Sequence, residues 1–161
     1  MQNSATFAYS PLTHPNSIRI LVLQPSPEPA SILAGTLVQA TLSELDIDLI
    51  RVYTALIYVS TSNEKSGHLC LGGAHVNITT DLEGALRHMR HDSLPHCIWV
   101  KQLCVNQADE MERASHAAIM DQIYHVARRT VIYCGSLSPS CEAVFKAVRY
   151  LLVSQVDPLL Y

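Results

Sequence analysis

Segment 99–113, which reads Trp-Val-Lys-Gln-Leu-Cys-Val-Asn-Gln-Ala-Asp-Glu-Met-Glu-Arg, constrains the fold of this chain more than any other. It continues an apolar, strand-like run, passes through a polar turn at Asn106-Gln107, and enters an acidic helix start at Asp109. Proteins of the α/β class use this order to hold functional groups at the carboxyl end of a strand. The segment therefore predicts an α/β fold and the position of a site.

The rest of the chain alternates between strand-like and helix-like patterns. Apolar, β-branched runs predict strands at 18–23, 51–60, 97–100 and 130–134. Apolar residues three and four apart predict helices at about 81–91, from Asp109 onward, and after Ser138-Pro139. This is the order of βαβ units, which predicts a three-layer fold around a mainly parallel sheet. Segment 32–49 suits either a short helix or a strand followed by a turn, and both alternatives stay open.

Turn and capping residues add local detail. Gly72-Gly73 lies between two apolar runs and suits a type I′ turn, which predicts a small antiparallel β-hairpin flap. Thr80 and Glu83 have the spacing of a capping box, which predicts Thr80 as the N-cap of the helix at 81–91. One long helix is predicted after Asp109, with an apolar inner face formed by Ala117, Met120, Ile123, Tyr124 and Ala127.

Length and charge limit the class of protein. With 161 residues, the chain is expected to form a single domain with its core at about 7–155. Eleven Lys and Arg residues against fourteen Asp and Glu give a net charge of −3, and no basic run occurs, so nucleic acid is not an expected partner. The N-terminal segment lacks the features of an export signal, and no apolar run reaches about 18 residues. We expect a cytoplasmic protein that does not enter the membrane.

The polar residues of segment 99–113 form a candidate ligand site. The amides of Asn106 and Gln107 lie close in sequence to the carboxylates of Asp109 and Glu112 and to the guanidinium of Arg113. These groups can converge on a ligand at the edge of an α/β sheet. The alternative is structural, because Asn106-Gln107 can simply turn the chain while Asp109 and Glu112 cap the helix. The sequence leaves both interpretations open.

Other site chemistries are not predicted. His88, His91, His96 and Cys97 are residue types that bind zinc, but His96 follows a proline and Cys97 begins a strand, so solvated histidines at a helix end are favoured. The chain contains no Gly-x-Gly-x-x-Gly, P-loop or Gly-x-Ser-x-Gly motif, and Cys104 has no assignable base. We therefore predict no metal and no bound cofactor.

Several ordered blocks resemble the fungal heterokaryon incompatibility (HET) domain. Segment 99–113 is similar to the family pattern W-I-D-A-I-C-I-N-Q followed by D-x-x-E-R, and segment 53–59 to the pattern Y-x-A-L-S-Y-V-W-G. The resemblance runs from about residue 7 to residue 135. Its other blocks are Tyr9-x-Pro11-Leu12, Ile18-Arg19-x-Leu21, Leu82-x-x-Ala85-Leu86-x-x-Met89-Arg90 and Ile123-Tyr124-x-x-Ala127.

The chain departs from the family pattern at several positions. Lys101 replaces the family's Asp, and segment 60–62 has Ser-Thr-Ser where the family has Trp, Gly and an acidic residue. His116 replaces a Gln, and segment 133–135 has Tyr-Cys-Gly in place of W-L-G. The Asp-to-Lys change moves the local charge by two units, which reshapes any site built on carboxylates. The resemblance therefore identifies a divergent member of the family.

The resemblance implies a fold and a function. The fold is expected to be similar to TIR and flavodoxin-like domains, with the hairpin as a flap. Proteins similar to this one act in non-self recognition and programmed cell death of filamentous fungi. We therefore expect a signalling domain that acts through a protein partner or through self-association.

The comparison of HET with TIR domains implies an alternative function. Some TIR domains cleave the glycosidic bond of NAD with a Glu, and Glu112 would be the catalytic residue of such an NAD glycohydrolase, with NAD as its substrate. A third alternative is an inactive or truncated paralogue. The residues implied in ligand binding are Tyr58, Lys101, Asn106, Gln107, Asp109 and Arg113.

Overall fold

A computed structural model describes residues 7–47, 53–61 and 63–135. The strands within these ranges are β1 (Ser17–Leu23), β2 (Leu33–Thr41), β3 (Thr54–Tyr58), β4 (Gly67–Leu71), β5 (Ala74–Ile78), β6 (His96–Trp99) and β7 (Arg129–Tyr133). The helices are α1 (Leu42–Ile47), α2 (Thr80–Met89), α3 (Lys101–Cys104), α4 (Glu110–Ala118) and α5 (Met120–Val126). The helix predicted after Ser138-Pro139 lies outside the described residues.

The strands form one mixed sheet in the order β5-β4-β2-β1-β6-β3-β7. The pairs β2/β4, β3/β6 and β3/β7 are parallel, whereas β1/β2, β1/β6 and β4/β5 are antiparallel. The α/β class is confirmed, but the mainly parallel sheet is not. Only the loop 24–32 joins β1 to β2, and it is too short for the crossover of about a dozen residues that a parallel connection needs.

Segment 32–49 contains both kinds of structure that its pattern allows, since β2 is followed directly by α1. The predicted hairpin is also present, and its turn residues Gly72 and Gly73 have φ of 59° and 86°, as a type I′ turn requires. The description of this hairpin as a small flap is wrong. Because β4 pairs with β2, the hairpin extends the main sheet and β5 forms one edge of it.

The core lies along the central strands and under α2. Strand β1 is buried at every position except Val22, and the predicted stripe of α2, formed by Leu82, Ala85, Leu86 and Met89, is buried as well. Trp99 is fully buried at the end of β6. Its ring packs edge to face against the ring of Tyr124, and the two ring centroids are 5.7 Å apart. The hydroxyl of Tyr53 donates to the carbonyl of Ile123, which ties the start of β3 to α5.

Two helix predictions are corrected. The N-cap of α2 is Thr79, whose hydroxyl accepts from the amide of Leu82 at 3.3 Å, so the cap lies one residue before the predicted Thr80. The single helix predicted after Asp109 is broken at Ile119, which has φ of −112° and ψ of 9°. Ala117, which was expected on the inner face, is exposed, and the neighbouring His116 is buried instead.

Because Thr79 caps α2, replacing Thr79 or its neighbour Thr80 by alanine should have different effects on stability. Thr79→Ala should lower the free energy of unfolding by about 1–2 kcal/mol, because the amide of Leu82 loses its acceptor. Thr80→Ala is the matched control, and it should be neutral because Thr80 is an exposed helical residue. Urea unfolding of both variants measures the difference. A larger loss in Thr80→Ala would contradict the assignment.

Candidate functional site

A cleft lies at the carboxyl ends of β3 and β6. The two strands are parallel neighbours, so their carboxyl ends meet at one edge of the sheet, where α/β proteins commonly bind ligands. The cleft has a volume of about 370 Å³. Its lining residues are Leu56, Ile57, Tyr58, Ser60, Val100, Lys101, Gln102, Gln107 and Tyr124.

Three of the residues implied in ligand binding, Tyr58, Lys101 and Gln107, meet in this cleft. The side chain of Lys101 is exposed, at the first position of α3. The amide nitrogen of Gln107 donates to the carbonyl of Lys101 at 2.9 Å and to that of Val105 at 3.0 Å, which closes the turn after α3. Gln107 therefore has a structural role as well as a place in the cleft wall.

The candidate catalytic residue Glu112 lies outside this cleft and is paired with Arg19. Its carboxylate oxygens lie 2.5 and 3.1 Å from the two terminal nitrogens of the Arg19 guanidinium. One of these oxygens also accepts from the backbone amide of Asn106 at 2.7 Å. The side chains of Arg19 and Glu112 are only 3% and 9% exposed. Glu112 is thus a partner in a buried, two-pronged ion pair.

The Arg19 guanidinium holds further parts of the structure. It donates to the carbonyl of Ser10 at 2.7 Å and to that of Cys104 at 3.3 Å, and it lies 5.0 Å from the centre of the Tyr9 ring. Burial acts to raise the pKa of Glu112, but the hydrogen bonds from Arg19 and Asn106 and the charge of Arg19 outweigh it, and the pKa lies below its ordinary value. Glu112 is therefore held as a carboxylate.

The other site candidates serve the turn between α3 and α4. The side-chain oxygen of Asn106 accepts from the amide of Ala108 at 3.1 Å, and Asp109 caps α4 by accepting from the amide of Glu112 at 3.0 Å. Arg113 is exposed. Asn106 lines a second cavity of about 360 Å³, and Asp109 and Glu112 line a third of about 560 Å³. The candidates therefore do not converge on one pocket.

The sequence pattern indicates no site role for Arg19, Gln102 or Tyr124, whereas Ser60 stands where the family pattern departs after segment 53–59. Arg19 had a detectable signal, because it is the one charged residue in the apolar run Ser-Ile-Arg-Ile-Leu-Val-Leu and such a residue is rarely buried without a partner. No comparable signal marks Gln102 or Tyr124. Tyr124 follows β6 by 25 positions and reaches the cleft only because α5 packs beside Trp99.

The histidines considered for zinc have other contacts. His96 is within hydrogen-bond distance of the carbonyl of Met89 at 2.8 Å and of the hydroxyl of Thr54 at 3.1 Å. In the described ranges, no three His, Cys, Asp or Glu side chains are grouped closely enough to hold a metal ion. The helices of the same ranges are all too short or too polar to cross a membrane.

These features define an α/β domain with a cleft at the carboxyl ends of parallel strands. The family model described as "Heterokaryon incompatibility protein (HET)" matches residues 53–157, more than half of the 161 residues, and the chain belongs to this family. A curated relative, "Heterokaryon incompatibility protein 6, OR allele" of Neurospora crassa, is 27% identical over 111 residues. That match covers 60% of this chain but only 16% of the relative. No solved structure matches the chain significantly.

Several residues that match the family pattern build the framework, and two residues that depart from it line the cleft. Trp99 and Cys104 are buried, Asp109 caps α4, and Glu112 binds Arg19, so these matching residues build the framework. Lys101 and Ser60, which depart from the pattern, line the cleft together with Tyr58 and Gln107, which match it. His116, which also departs from the pattern, is buried. The cleft surface therefore differs from the pattern at positions 60 and 101.

The buried ion pair predicts a large effect of removing its negative charge. Glu112→Gln should lower the free energy of unfolding at pH 7 by about 3 kcal/mol, because it leaves the buried Arg19 charge uncompensated. Glu110→Gln is the matched control on the exposed side of α4 and should change stability by less than about 0.5 kcal/mol. Urea unfolding measures both.

The same pair gives the direction of the pH dependence. Because the pKa of Glu112 is lower in the folded state than its ordinary value of 4.5, its contribution is complete above that value and is lost as the pH falls through the folded pKa. The stabilities of the native protein and of Glu112→Gln should therefore approach each other in acid. A gap that stays constant from neutral to acidic pH would contradict the assignment.

Proposed function

We propose that this chain is a HET domain of fungal incompatibility that acts in programmed cell-death signalling through protein contacts, with a partner or with a second copy. The observation that carries the proposal is the state of Glu112, whose carboxylate is bound by Arg19 and by the amide of Asn106. The residue best suited by analogy to catalysis is therefore engaged in holding the fold together.

The electrostatics of Glu112 support this proposal. Nicotinamide leaves NAD as a neutral molecule, so a catalytic glutamate would act as a free carboxylate that stabilises the positive charge developing on the ribose. The carboxylate of Glu112 is already balanced by the guanidinium of Arg19, and its side chain is only 9% exposed. Among the described residues, the cleft lining contains no Asp or Glu that could replace it. The arrangement thus favours a binding role over glycosidic bond cleavage.

An exposed apolar strip supports a role in protein contact. Ile57, Val59 and Ile132 have exposed fractions of 38%, 54% and 63%. They lie together, because Ile57 pairs with Ile132 across β3 and β7 and the amide of Val59 donates to the carbonyl of Tyr133. Grouped apolar side chains at a surface are typical of interaction sites. We infer that this apolar strip contacts the partner or the second copy.

The family match and the name of the Neurospora crassa relative support the role in incompatibility. Cell death, a cytoplasmic location and action through a protein partner are parts of our proposal. The rival function is NAD hydrolysis by a TIR-like domain, and one observation favours it. Strands β6, β3 and β7 are mutually parallel, so part of the sheet has the arrangement that such a domain uses at its site.

If the domain signals through the apolar strip, a charged residue in the strip should abolish its effect on growth in a fungal host, whereas the same change elsewhere should not. The intact chain should cause growth arrest, and Ile132→Asp should abolish it by placing a charge in the contact. Ile32→Asp is the matched control, because Ile32 is equally exposed at 63% but lies before β2. Growth arrest that survives Ile132→Asp, or an intact chain without effect, would contradict the proposal.

The rival function has its own test. Purified protein at concentrations that permit self-association should release no nicotinamide from NAD, because the carboxylate of Glu112 is bound by Arg19 and is nearly buried. Chromatographic detection of nicotinamide measures this. Release by the intact chain that persists in Glu110→Gln would overturn our proposal, and its loss in Glu112→Gln would locate the activity provided that urea unfolding shows this variant to be folded in the assay.

A further inference from the structure

We propose that the cleft at the carboxyl ends of β3 and β6 binds a small organic anion that carries a planar ring. The juxtaposition that carries this inference is one ammonium, Lys101, which forms no ion pair with the described residues, beside two tyrosines, Tyr58 and Tyr124, in a cleft of about 370 Å³. That volume lies within the range of about 300–1,000 Å³ of small-molecule pockets. Binding here goes beyond the protein contact proposed for the apolar strip.

The charge of the cleft favours an anion. Lys101 is the only charged residue among the described residues that line it. Within the described ranges, the Lys101 ammonium forms no ion pair. An anion that enters the cleft therefore gains a charge-assisted hydrogen bond without breaking an existing one. An organic cation would meet a like charge with no carboxylate in the lining to offset it.

The rings of the cleft favour a planar group on the ligand. Tyr124 is held in place by its edge-to-face contact with the fully buried Trp99. Burial raises the pKa of the Tyr124 phenol, so its hydroxyl stays protonated at neutral pH and does not repel an anion. Tyr58 lines the same cleft from the end of β3. Aromatic side chains of this kind pack against a flat ring by offset or edge contacts.

Amide side chains complete the polar lining. The nitrogen of Gln107 is engaged by two backbone carbonyls, which fixes that side chain and leaves its oxygen as an acceptor. Gln102 also lines the cleft and, within the described ranges, forms no side-chain hydrogen bond. Its amide can donate to a carboxylate or phosphate oxygen beside Lys101. The cleft thus offers donors for an anion and ring faces for the rest of the molecule.

The experiment uses three ring compounds of similar size and the intact chain. Benzoate and phenyl phosphate carry the ring and a negative charge, whereas benzamide has nearly the shape of benzoate but no charge. Chemical shift changes of the backbone amides in an NMR titration at low salt report binding. Both anions should bind at millimolar concentration and shift amides of the cleft. Benzamide should bind about tenfold more weakly, the difference expected from one charge-assisted hydrogen bond.

Variants of exposed lysines test the role of Lys101. Lys101→Met should weaken benzoate about tenfold and leave benzamide unchanged, because only the charge is removed. Lys101→Asp, which restores the residue type of the family pattern, should abolish binding of both anions. Lys65→Met is the matched control, since Lys65 is exposed and lines the neighbouring cavity, which shares Gln102 and Gln107 with the cleft but not Lys101, and it should have no effect. Urea unfolding confirms that each variant is folded.

Each outcome decides the proposal. Preference for phenyl phosphate over benzoate would identify a phosphate monoester as the ligand class, and the reverse preference would identify a carboxylate. Equal binding of benzoate and benzamide, unchanged affinity in Lys101→Met, or no binding of either anion would overturn the inference. These results are independent of the growth-arrest and nicotinamide assays, so the cleft and the proposed function can fail separately.

Discussion

The ion pair between Arg19 and Glu112 joins parts of the chain that are 93 residues apart, and the surrounding structure depends on it. A guanidinium in the central strand of a sheet needs a balancing charge and acceptors for its donors, and among the described residues the terminal nitrogens of Arg19 have them, whereas its buried Nε has no partner. Here Glu112 supplies the charge, while the carbonyls of Ser10 and Cys104 accept further bonds. The N-terminal segment, β1, the turn after α3 and the start of α4 therefore meet at one side chain.

This use of Glu112 changes the interpretation of the motif at 99–113. Asn106, Gln107 and Asp109 bond to the backbone of the same turn, and Glu112 bonds to Arg19, so the polar half of the motif positions α3 and α4. These contacts support the structural interpretation of the motif, in which its polar residues turn the chain and cap the helix. The cleft beside them presents Lys101 and tyrosines, a surface suited to binding more than to proton transfer.

Local patterns predicted most of the secondary structure within the described residues. The strands, the Gly72-Gly73 turn and the buried stripe of α2 follow from residue types and spacing over a few positions. The two helix predictions were wrong where a local pattern fits more than one structure. Thr79 and Thr80 are adjacent residues of a type that caps helices, and the helix break at Ile119 leaves the apolar spacing on either side almost unchanged. Only the contacts around each residue distinguish these cases.

The sequence by itself determined the family, the α/β class and the elements that carry the motif, because these depend on apolar periodicity and on residues adjacent in the chain. The tertiary structure decided the mixed order of the sheet, the pairing of Glu112 and the composition of the cleft. Each of these joins residues that are far apart in sequence, such as Tyr58, Lys101 and Tyr124. Their proximity depends on how distant strands pair and helices pack, which the pattern of neighbouring residues does not reveal.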